Sequence, residues 1–461
     1  MKIIRQMKTS EAPNATNAWN VNLNNGNVNN NTKTNGNRVR PVSAFNNERR
    51  TGGSVSFHDV FVGLLEADAK CRKGKRNTPG EAGFEIDAPR KLHRIAGDLP
   101  AGTFDPGHCS AFLKPNPVLR EIFASQYRAR VVQTWAVIRV QPILESVLDP
   151  CQMSNRPGRG TSAAWQLAQE LGEKFRRGGW VWSFDFRGFF MSIDKRIAVR
   201  LWDGIIAERY DGADKALLLD VVRDLIMRCP QVGCHINGDP AEWDALPPHK
   251  SLFAQDEFHG LVIGDHLSQL TALLILLQIV KWLRAHGVDA FIEYVDDFLG
   301  FTADPEGFKA VLPELRAYAW QEMGLVLHPH KFSLQQTRHG WHFVGCKGKP
   351  GVAMASDRSV RNFRAAVRRR TTLDKYVASV NSYLGLLQAF DAFRVKLAEL
   401  PTILRRLAGR GYLTARMGGI RLFKKFTLRE GLRRQVRVLR QQFINSLNIY
   451  RNEENPSPCF A

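Results

Sequence analysis

The stretch that decides the fold runs from Phe291 to Gly300 and has the sequence Phe-Ile-Glu-Tyr-Val-Asp-Asp-Phe-Leu-Gly. Its period of two predicts two strands of a hairpin that meet at Asp296 and Asp297. Adjacent carboxylates repel each other and are costly to bury unless a cation or water reaches them. An ordinary Asp-Asp turn is the alternative, but such turns carry Gly, Asn or Pro, whereas good strand formers flank these acids. The pattern therefore predicts a cation site at the end of a β-hairpin.

A third acid lies upstream in a second β-rich run. The run from Trp180 to Phe190, Trp-Val-Trp-Ser-Phe-Asp-Phe-Arg-Gly-Phe-Phe, has one central acid, Asp185. The nearby Asp194 fits the cap of a following helix better. Hard cations such as Mg²⁺ prefer carboxylate oxygens, and two such ions roughly 4 Å apart can activate a hydroxyl group in phosphoryl transfer. We therefore predict that Asp185 joins the two acids of the hairpin.

Composition indicates a large chain with an acidic partner. The 461 residues are 44% hydrophobic and 24% charged, enough for a large core and two or three subdomains. The formal net charge of +21 favours a polyanion such as nucleic acid. No apolar run reaches the ~18 residues that a membrane helix needs. The sequence thus predicts a nucleic-acid-binding protein that does not span a membrane.

The cysteines predict a reducing cytoplasm rather than a disulfide framework. Seven of them are scattered along a chain with no signal peptide. Cys229, Cys234 and His235 lie close together, but no second pair follows at metal spacing, so we predict no zinc site there.

Along the chain the patterns predict mainly helices around a few strands. Residues 1 to 50 form an Asn-rich arm of low complexity, expected to be disordered or independent of the core. Residues 112–133 are predicted as strand, turn and strand, with cations that suit a triphosphate, and residues 325–327 and 341–344 as short strands. Residues 238–258 are a polar connection. Helices are predicted from Phe57 to Lys70 and from Trp165 to Arg176, and two more in 197–228. A strongly apolar helix is predicted from the residues after Gly264 to Val280. Further helices are predicted from Leu312, with Pro313 in the first turn, and in 358–407. Residues 416–451 carry ten Arg or Lys against one Glu, typical of a basic tail that binds RNA or a partner.

Several further motifs occur in a characteristic order. They are Lys114-Pro115, Arg120-Glu121-Ile122-Phe123, Gly158-Arg159-Gly160-Thr161, Ser192-Ile193-Asp194, Trp243 with Leu246 to Phe253, Ile263 to Gln269, Tyr294 to Asp297, Leu327-His328-Pro329 and Asn381 to Leu387. With the acids, they resemble the reverse transcriptases of diversity-generating retroelements, from about Phe57 to about Lys396. The resemblance implies an α+β, right-hand polymerase fold with an antiparallel palm sheet and a helical thumb. The expected domains are fingers 57–180, palm 181–350, thumb 351–410 and a basic extension 411–461.

The same resemblance implies roles for single residues. Asp185, Asp296 and Asp297, with the backbone carbonyl of Phe186, would bind two Mg²⁺ ions, for which Mn²⁺ can substitute. Lys331 would protonate the departing pyrophosphate. The nucleotide-binding residues would be Lys114 and Arg120 at the triphosphate, Phe190 as the gate against a 2′-hydroxyl, and Ile263, Gly264 and Gln269 in the loop before a helix.

That loop distinguishes this family from its relatives. Most reverse transcriptases carry Gln-Gly, three residues and then Ser-Pro, and the first Gln helps to check base pairing. Here Ile263 stands in the Gln position and Gln269 in the Pro position. An aliphatic side chain cannot form the amide's hydrogen bonds, so discrimination is expected to weaken, and in the family this accompanies errors at template adenines. Val262 and Asp265 depart from the family's usual Pro and Asn.

The resemblance implies an RNA-directed DNA polymerase that copies a template-repeat RNA into adenine-mutagenised cDNA, which replaces part of a target gene (mutagenic retrohoming). Its partners would be the RNA template, a cDNA primer strand, dNTPs and a small basic accessory protein. The alternatives are a reverse transcriptase of another bacterial class, such as a group II intron or defence-associated enzyme, and a non-catalytic RNA-binding protein.

The Asn-rich arm suggests a separate hypothesis. Residues 14–28 and 38–42 resemble the variable segment of the lectin-like proteins that these retroelements diversify. Residues 1 to about 45 would then be translated template repeat. An ordinary flexible arm is the alternative.

Overall fold

The structure, a computed structural model, describes residues 55–73, 79–115 and 118–407 and the backbone of four outlying strands. Two of these strands, β1 (Asn17–Asn22) and β2 (Asn27–Thr32), pair antiparallel in the Asn-rich segment. The remainder of the predicted arm, and most of the predicted basic extension, lie outside the described residues. The chain has a mixed α+β fold with mainly antiparallel sheets, and it divides into two compact units.

The first unit contains residues 1–164 and 179–335. Its further elements are α1 (Phe57–Arg72), α2 (Pro79–Glu85), α3 (Ala88–Ala101), β3 (Ser110–Lys114), β4 (Arg120–Ala124), α4 (Tyr127–Glu145), α5 (Thr161–Lys174, which continues into the second unit), β5 (Trp180–Asp185), α6 (Phe189–Ser192), α7 (Lys195–Arg209), α8 (Lys215–Met227), β6 (His235–Ile236), α9 (His266–Ala285), β7 (Phe291–Tyr294), β8 (Asp297–Thr302), α10 (Pro305–Met323) and β9 (Ser333–Gln336, at the boundary of the units).

The central sheet of this unit has the strand order β7-β8-β5-β9. Strands β7 and β8 form the predicted hairpin, and β8 pairs antiparallel with β5 from Trp180–Thr302 to Asp185–Asp297. The outer edge of β7 is covered by a short segment around Gln152, where Met153 N–H donates to Glu293 O (2.9 Å) and Glu293 N–H donates to Cys151 O (3.0 Å).

Helix α9 is the apolar helix predicted after Gly264, and it is the core helix of this unit. It is long and apolar enough to cross a membrane, yet 72% of its most apolar 18-residue window is buried inside the protein. Its side chains share one core with the aromatic residues Phe291 and Phe298 of the hairpin. Burial inside the fold therefore accounts for its composition.

A smaller sheet, β4-β3-β6, lies beside the predicted polar connection. Short 3₁₀ turns (Pro240–Ala245, Pro248–Lys250 and Leu252–Ala254) make up much of that connection. Glu121 on β4 is 1% exposed and accepts hydrogen bonds from Trp243 Nε1 (2.7 Å), Ser251 Oγ (2.9 Å) and Leu252 N (2.6 Å). The connection is thus fixed to the hairpin by one buried carboxylate.

Three sequence predictions were wrong in their limits. The second strand of the 112–133 hairpin ends at Ala124, and Arg128 and Arg130 lie on α4, because the following apolar residues pack into the core at helical spacing. Helix α10 begins at Pro305, capped by Asp304, whose side chain accepts a bond from Gly307 N–H, so Pro313 lies inside the helix. Residues 325–327 form no strand, but one antiparallel bridge between Leu327 and Phe186.

The second unit contains residues 165–178 and 336–461. Within it lie the antiparallel sheet of β10 (Trp341–Phe343), β11 (Cys346–Lys349) and β12 (Val352–Ala355), the helices α11 (Asp357–Arg368), α12 (Leu373–Leu386) and α13 (Phe393–Leu407), and the pair β13 (Leu413–Arg416) and β14 (Gly419–Leu422). The helical pattern predicted for 358–407 is confirmed. The limits of fingers, palm and thumb stay predictions.

Candidate active site

The three acids singled out in the sequence come together at one end of the central sheet. Asp185 is the last residue of β5 and lies directly opposite Asp297, the first residue of β8. Asp296 occupies the turn between β7 and β8. About a hundred residues of chain separate Asp185 from the other two, so only the pairing of β5 with β8 brings them together.

The turn that carries Asp296 is strained. Tyr294 pairs with Asp297, which leaves a two-residue loop of Val295 and Asp296. Val295 has φ = 59°, in the left-handed region that a β-branched residue rarely adopts. Such a conformation costs about 1–3 kcal/mol and persists only when the surrounding structure imposes it. The strain fixes the backbone of the acid pair.

The electrostatics of the cluster favour the uptake of positive charge. Burial, followed by the charges of Asp185 and Asp297, raises the pKa of Asp296 to about 7. Asp297 is exposed by its surface area, although protein atoms surround it on most sides; burial and Asp185 raise its pKa to about 6, and solvent screening weakens this effect. Asp185 has one buried oxygen, Oδ1, without a hydrogen-bond partner.

Lys331 supplies a cation in contact with this cluster. Its ammonium group contacts Asp185 Oδ2. Burial lowers the pKa of Lys331, but the hydrogen bond and charge of Asp185, with the two hairpin acids, outweigh it and raise the pKa overall. One lysine cannot balance three carboxylates. Its position beside Asp185 agrees with the role predicted for it without testing that role.

The donor set suits hard divalent cations in its chemistry. Its oxygens include an unpartnered buried carboxylate atom, and burial, followed by the charges of the neighbouring acids, raises the pKa of Asp296, an effect that a bound cation would oppose. Among the residues that the structure describes, no group of three or more His, Cys, Asp or Glu side chains is placed so that it could hold a metal ion. Lys331 takes up one Asp185 oxygen instead.

The carbonyl of Phe186, the fourth predicted ligand, lies on the strand edge that faces away from Leu327. In the bridge between Phe186 and Leu327, the hydrogen bonds come from the flanking residues: Arg187 N–H to Val326 O (2.8 Å) and His328 N–H to Asp185 O (2.7 Å). The polar backbone groups of Phe186 therefore face the opposite side of the strand, toward β8 and its turn.

A basic rim that the sequence analysis did not assign to the site lies around Arg187 and Gly188. The charges of Arg187, Lys250 and His328 act on His249, and partial burial followed by neighbouring cations lowers the pKa of both His249 and His328. The backbone of His249 packs against Gly188, where a Cβ would lie 2.4 Å from the His249 carbonyl oxygen. The motif Leu246 to Phe253 contains His249, but its place beside Gly188 depends on how the connection folds back.

The other predicted nucleotide-binding residues lie on two neighbouring segments. Lys114 and Arg120 are paired at the loop end of the β3-β4 hairpin, and both are exposed. Phe190 is half-buried and packs between the main core and the core beneath the hairpin. Gly264 has φ = 124° and lies against Phe123 O and Ile122, so the loop before α9 touches strand β4. Ile263 packs on that small core, and Gln269 lies in the first turns of α9.

Comparisons with known proteins give distant structural similarities and no match by sequence. No family model matches the chain, and no curated protein matches it. The structure of telomerase from Candida albicans in complex with the TWJ fragment of telomeric RNA is similar over 65% of this chain and 55% of the telomerase chain, with 12% sequence identity and a TM-score of 0.39. A similarity of this size assigns neither a family nor an activity.

One further acid, Glu293, lies close to the site without belonging to it. It is completely buried on β7, and neither carboxyl oxygen has a hydrogen-bond partner within bonding distance. Burial raises its pKa to about 8. The signal was present in the sequence, as an acid in the core-facing register of an apolar strand.

Proposed function

We propose that this protein is an RNA-directed DNA polymerase with the fingers, palm and thumb of the right-hand polymerases. One observation carries the proposal: Asp185 and Asp297 are opposed across two antiparallel strands with Asp296 in the adjoining strained turn. An isolated turn would explain the Asp pair, but not a third carboxylate delivered to it from a distant strand.

In this proposal each described residue has a defined task. Asp185, Asp296, Asp297 and the carbonyl of Phe186 would hold two Mg²⁺ ions, which when bound would activate the primer 3′-hydroxyl and stabilise the charge of phosphoryl transfer. Lys331 would release its contact with Asp185 and protonate the leaving pyrophosphate. Lys114 and Arg120 would hold the triphosphate, and Phe190 would exclude a ribonucleotide by contact with its 2′-hydroxyl.

We further propose that the enzyme belongs to a diversity-generating retroelement. The motifs from Lys114 to Leu387 and the Ile263 loop support this class. The substrates would be a template-repeat RNA, a primer and dNTPs, with a small basic accessory protein as partner in the cytoplasm. The product would be cDNA with changes opposite template adenines.

The decisive experiment is primer extension by the full chain on an RNA template that contains adenines, with misincorporation scored base by base. We expect Mg²⁺-dependent extension that Asp296→Ala abolishes. The matched control is Asp211→Ala, because the Asp211 side chain is 97% exposed and lies between α7 and α8. Extension by the Asp296→Ala variant at the wild-type rate would refute the proposed site.

The two alternatives predict different results in the same assay. A folded wild-type protein that binds RNA but never extends a primer would be a non-catalytic RNA-binding protein. Efficient extension with no excess of errors at adenines would indicate a reverse transcriptase of another class. In that case the acids keep their role, and the assignment to a diversity-generating retroelement fails.

Replacement of Ile263 tests the error mechanism directly. We expect Ile263→Gln to lower misincorporation opposite template adenine by about tenfold, because an amide can form hydrogen bonds that check the pairing geometry. Error rates opposite all four template bases are the measurement. Ile263→Leu is the matched control and should keep the wild-type spectrum; equal error rates in the Gln variant and wild type would contradict the mechanism.

A further inference from the structure

A buried polar network joins the loop before α9 to the base of the β3-β4 hairpin. The Ser125 hydroxyl lies at its centre: it donates to Asp265 Oδ1 (2.9 Å) and accepts from Arg228 Nη2 (3.0 Å) and Gln133 Nε2 (3.4 Å). Arg228 Nη2 also contacts Cys109 Sγ (2.6 Å). One hydroxyl thus uses its single donor and both acceptor positions.

Each of these side chains comes from a different segment of the first unit. Cys109 precedes β3, Ser125 follows β4, Gln133 is on α4, Arg228 ends α8 and Asp265 precedes α9. Asp265 is 8% exposed, Ser125 and Gln133 are each 4% exposed, and Cys109 is 2% exposed. Directional hydrogen bonds in such a buried environment fix the relative positions of the segments that they join.

Three consecutive loop residues contact β4, the residue that follows it or the small core beside it. Ile263 packs on the small core that contains Phe123, Gly264 approaches the Phe123 carbonyl oxygen, and Asp265 accepts the Ser125 hydrogen bond. Apolar contact alone would let the loop slide along the strand. The hydrogen bond to Asp265 sets a single register, because it is directional.

Arg228 acts on Asp265 through the same network. Burial raises the pKa of Asp265, whereas Arg228, the Ser125 and Gln133 hydrogen bonds and Arg130 act to lower it. Arg228 is held by the contacts of its Nη2 with Ser125 and Cys109, and its Nη1 is buried without a hydrogen-bond partner. The direct contact of Asp265 in this network is the hydrogen bond from Ser125.

We propose that Asp265, acting through the Ser125 hydroxyl, is a positioning residue that holds the loop of Ile263 and Gly264 against β4 and so shapes the pocket that selects the incoming nucleotide. The inference rests on the proposed function for its link to nucleotide selection. Asp265 does not touch the nucleotide; it sets the distance between the loop and the hairpin whose first β4 residue is Arg120.

The test compares Asp265→Ala, Asp265→Asn and Ser125→Ala with the Asp211→Ala control in the full chain. We expect Asp265→Ala to raise the KM for dNTP by about tenfold, the usual cost of one lost buried hydrogen bond to a charged group, while kcat changes less than about threefold. Asp265→Asn should bring KM back close to wild type, since an amide oxygen can accept the Ser125 bond. The double variant Asp265→Ala/Ser125→Ala should raise KM no further than Ser125→Ala alone, because Ser125→Ala already removes the bond to Asp265.

A second readout does not depend on activity. Hydrogen exchange of the amides in 262–266 and 121–125 should accelerate in Asp265→Ala and stay at the wild-type rate in Asp265→Asn, with melting temperatures recorded for each variant. Unchanged exchange and KM in a folded Asp265→Ala protein would overturn the inference. So would a parallel fall in kcat and melting temperature that Asn does not rescue. An inactive wild type would refute the proposed function, and exchange would then decide the positioning role alone.

Discussion

Glu293 shows what one buried carboxyl group does to the stability of this protein. It is 0% exposed, its pKa is raised by burial to about 8, and it lies three residues before Asp296. At neutral pH it is therefore mostly protonated in the folded chain and ionised in the unfolded chain, whose Glu pKa is about 4.3. At neutral pH, folding is therefore coupled to the uptake of a proton by the Glu293 carboxylate.

We expect the pH dependence of stability to report this proton. Because the folded pKa is raised, the free energy of unfolding of the wild type should fall as pH rises from about 4.3 to about 8. Glu293→Gln cannot ionise. Between those two pH values its free energy of unfolding should therefore rise by about 3 kcal/mol relative to that of the wild type, which is less than the full pKa shift of Glu293 would give. Urea unfolding at pH 5, 7 and 9 measures the difference in slope.

The matched control is Glu306→Gln on α10, where the carboxylate side chain is 77% exposed. Its pH curve should run parallel to that of the wild type. Parallel curves for Glu293→Gln and the wild type would show that Glu293 is ionised in the folded protein.

At the scale of elements, the β7-β8 turn combines a strained backbone with the acid pair. Val295 keeps φ = 59° although Val is among the residues least suited to it. Pairing of both strands, and the packing of Val295 against the main core, impose this conformation.

The strain predicts an inverted preference between Gly and Ala. At position 295 we expect Val295→Gly to be more stable than Val295→Ala by about 1 kcal/mol, because Gly adopts positive φ without the Cβ penalty. At Val181 on β5, a buried strand position paired with Phe301, Ala should be more stable than Gly by about 0.5–1 kcal/mol. Urea unfolding of the four variants is the measurement, and the same order at both positions would contradict the strain.

The sequence could predict elements whose cause is local. The acid hairpin, α1, α9 and the helices of 358–407 follow from periodicity within each segment. The start of α4 was missed because the run around Val131 and Trp135 fits an apolar strand as well as a buried helix, and only tertiary burial decides. The start of α10 was missed because the cap at Asp304 precedes the apolar pattern.

Contacts between distant segments could not be read from the sequence. Asp265 and Ser125 are 140 residues apart, and Gln152 reaches β7 from a similar distance. The position of Asp185 beside Asp297 could be predicted because two adjacent acids indicate a cation site, and such a site needs a further carboxylate from another β-rich run. His249 lies in a motif that the sequence analysis named, but its place beside Gly188 follows from how the connection folds and could not be predicted.

For the whole molecule, the charge of +21 predicts strongly salt-dependent binding to RNA. If about 6–10 phosphates are neutralised, the affinity should fall by about 10³-fold or more between 50 and 200 mM salt. Binding of the full chain to a structured RNA, measured across that range, tests this expectation. A deletion of residues 411–461 should flatten the slope if the predicted extension contributes; an affinity independent of salt would argue against a phosphate-dominated interface.

The segment around Gln152 has a consequence for the behaviour of the protein at high concentration. An open strand edge is a template on which a second chain can add its own strand, which leads to fibres and precipitates. Cys151 and Met153 occupy the hydrogen-bonding groups of Glu293 on β7 and so shield the middle of that edge. Substitutions that detach the segment around Gln152 from β7 would favour self-association even where they leave the carboxylate cluster intact.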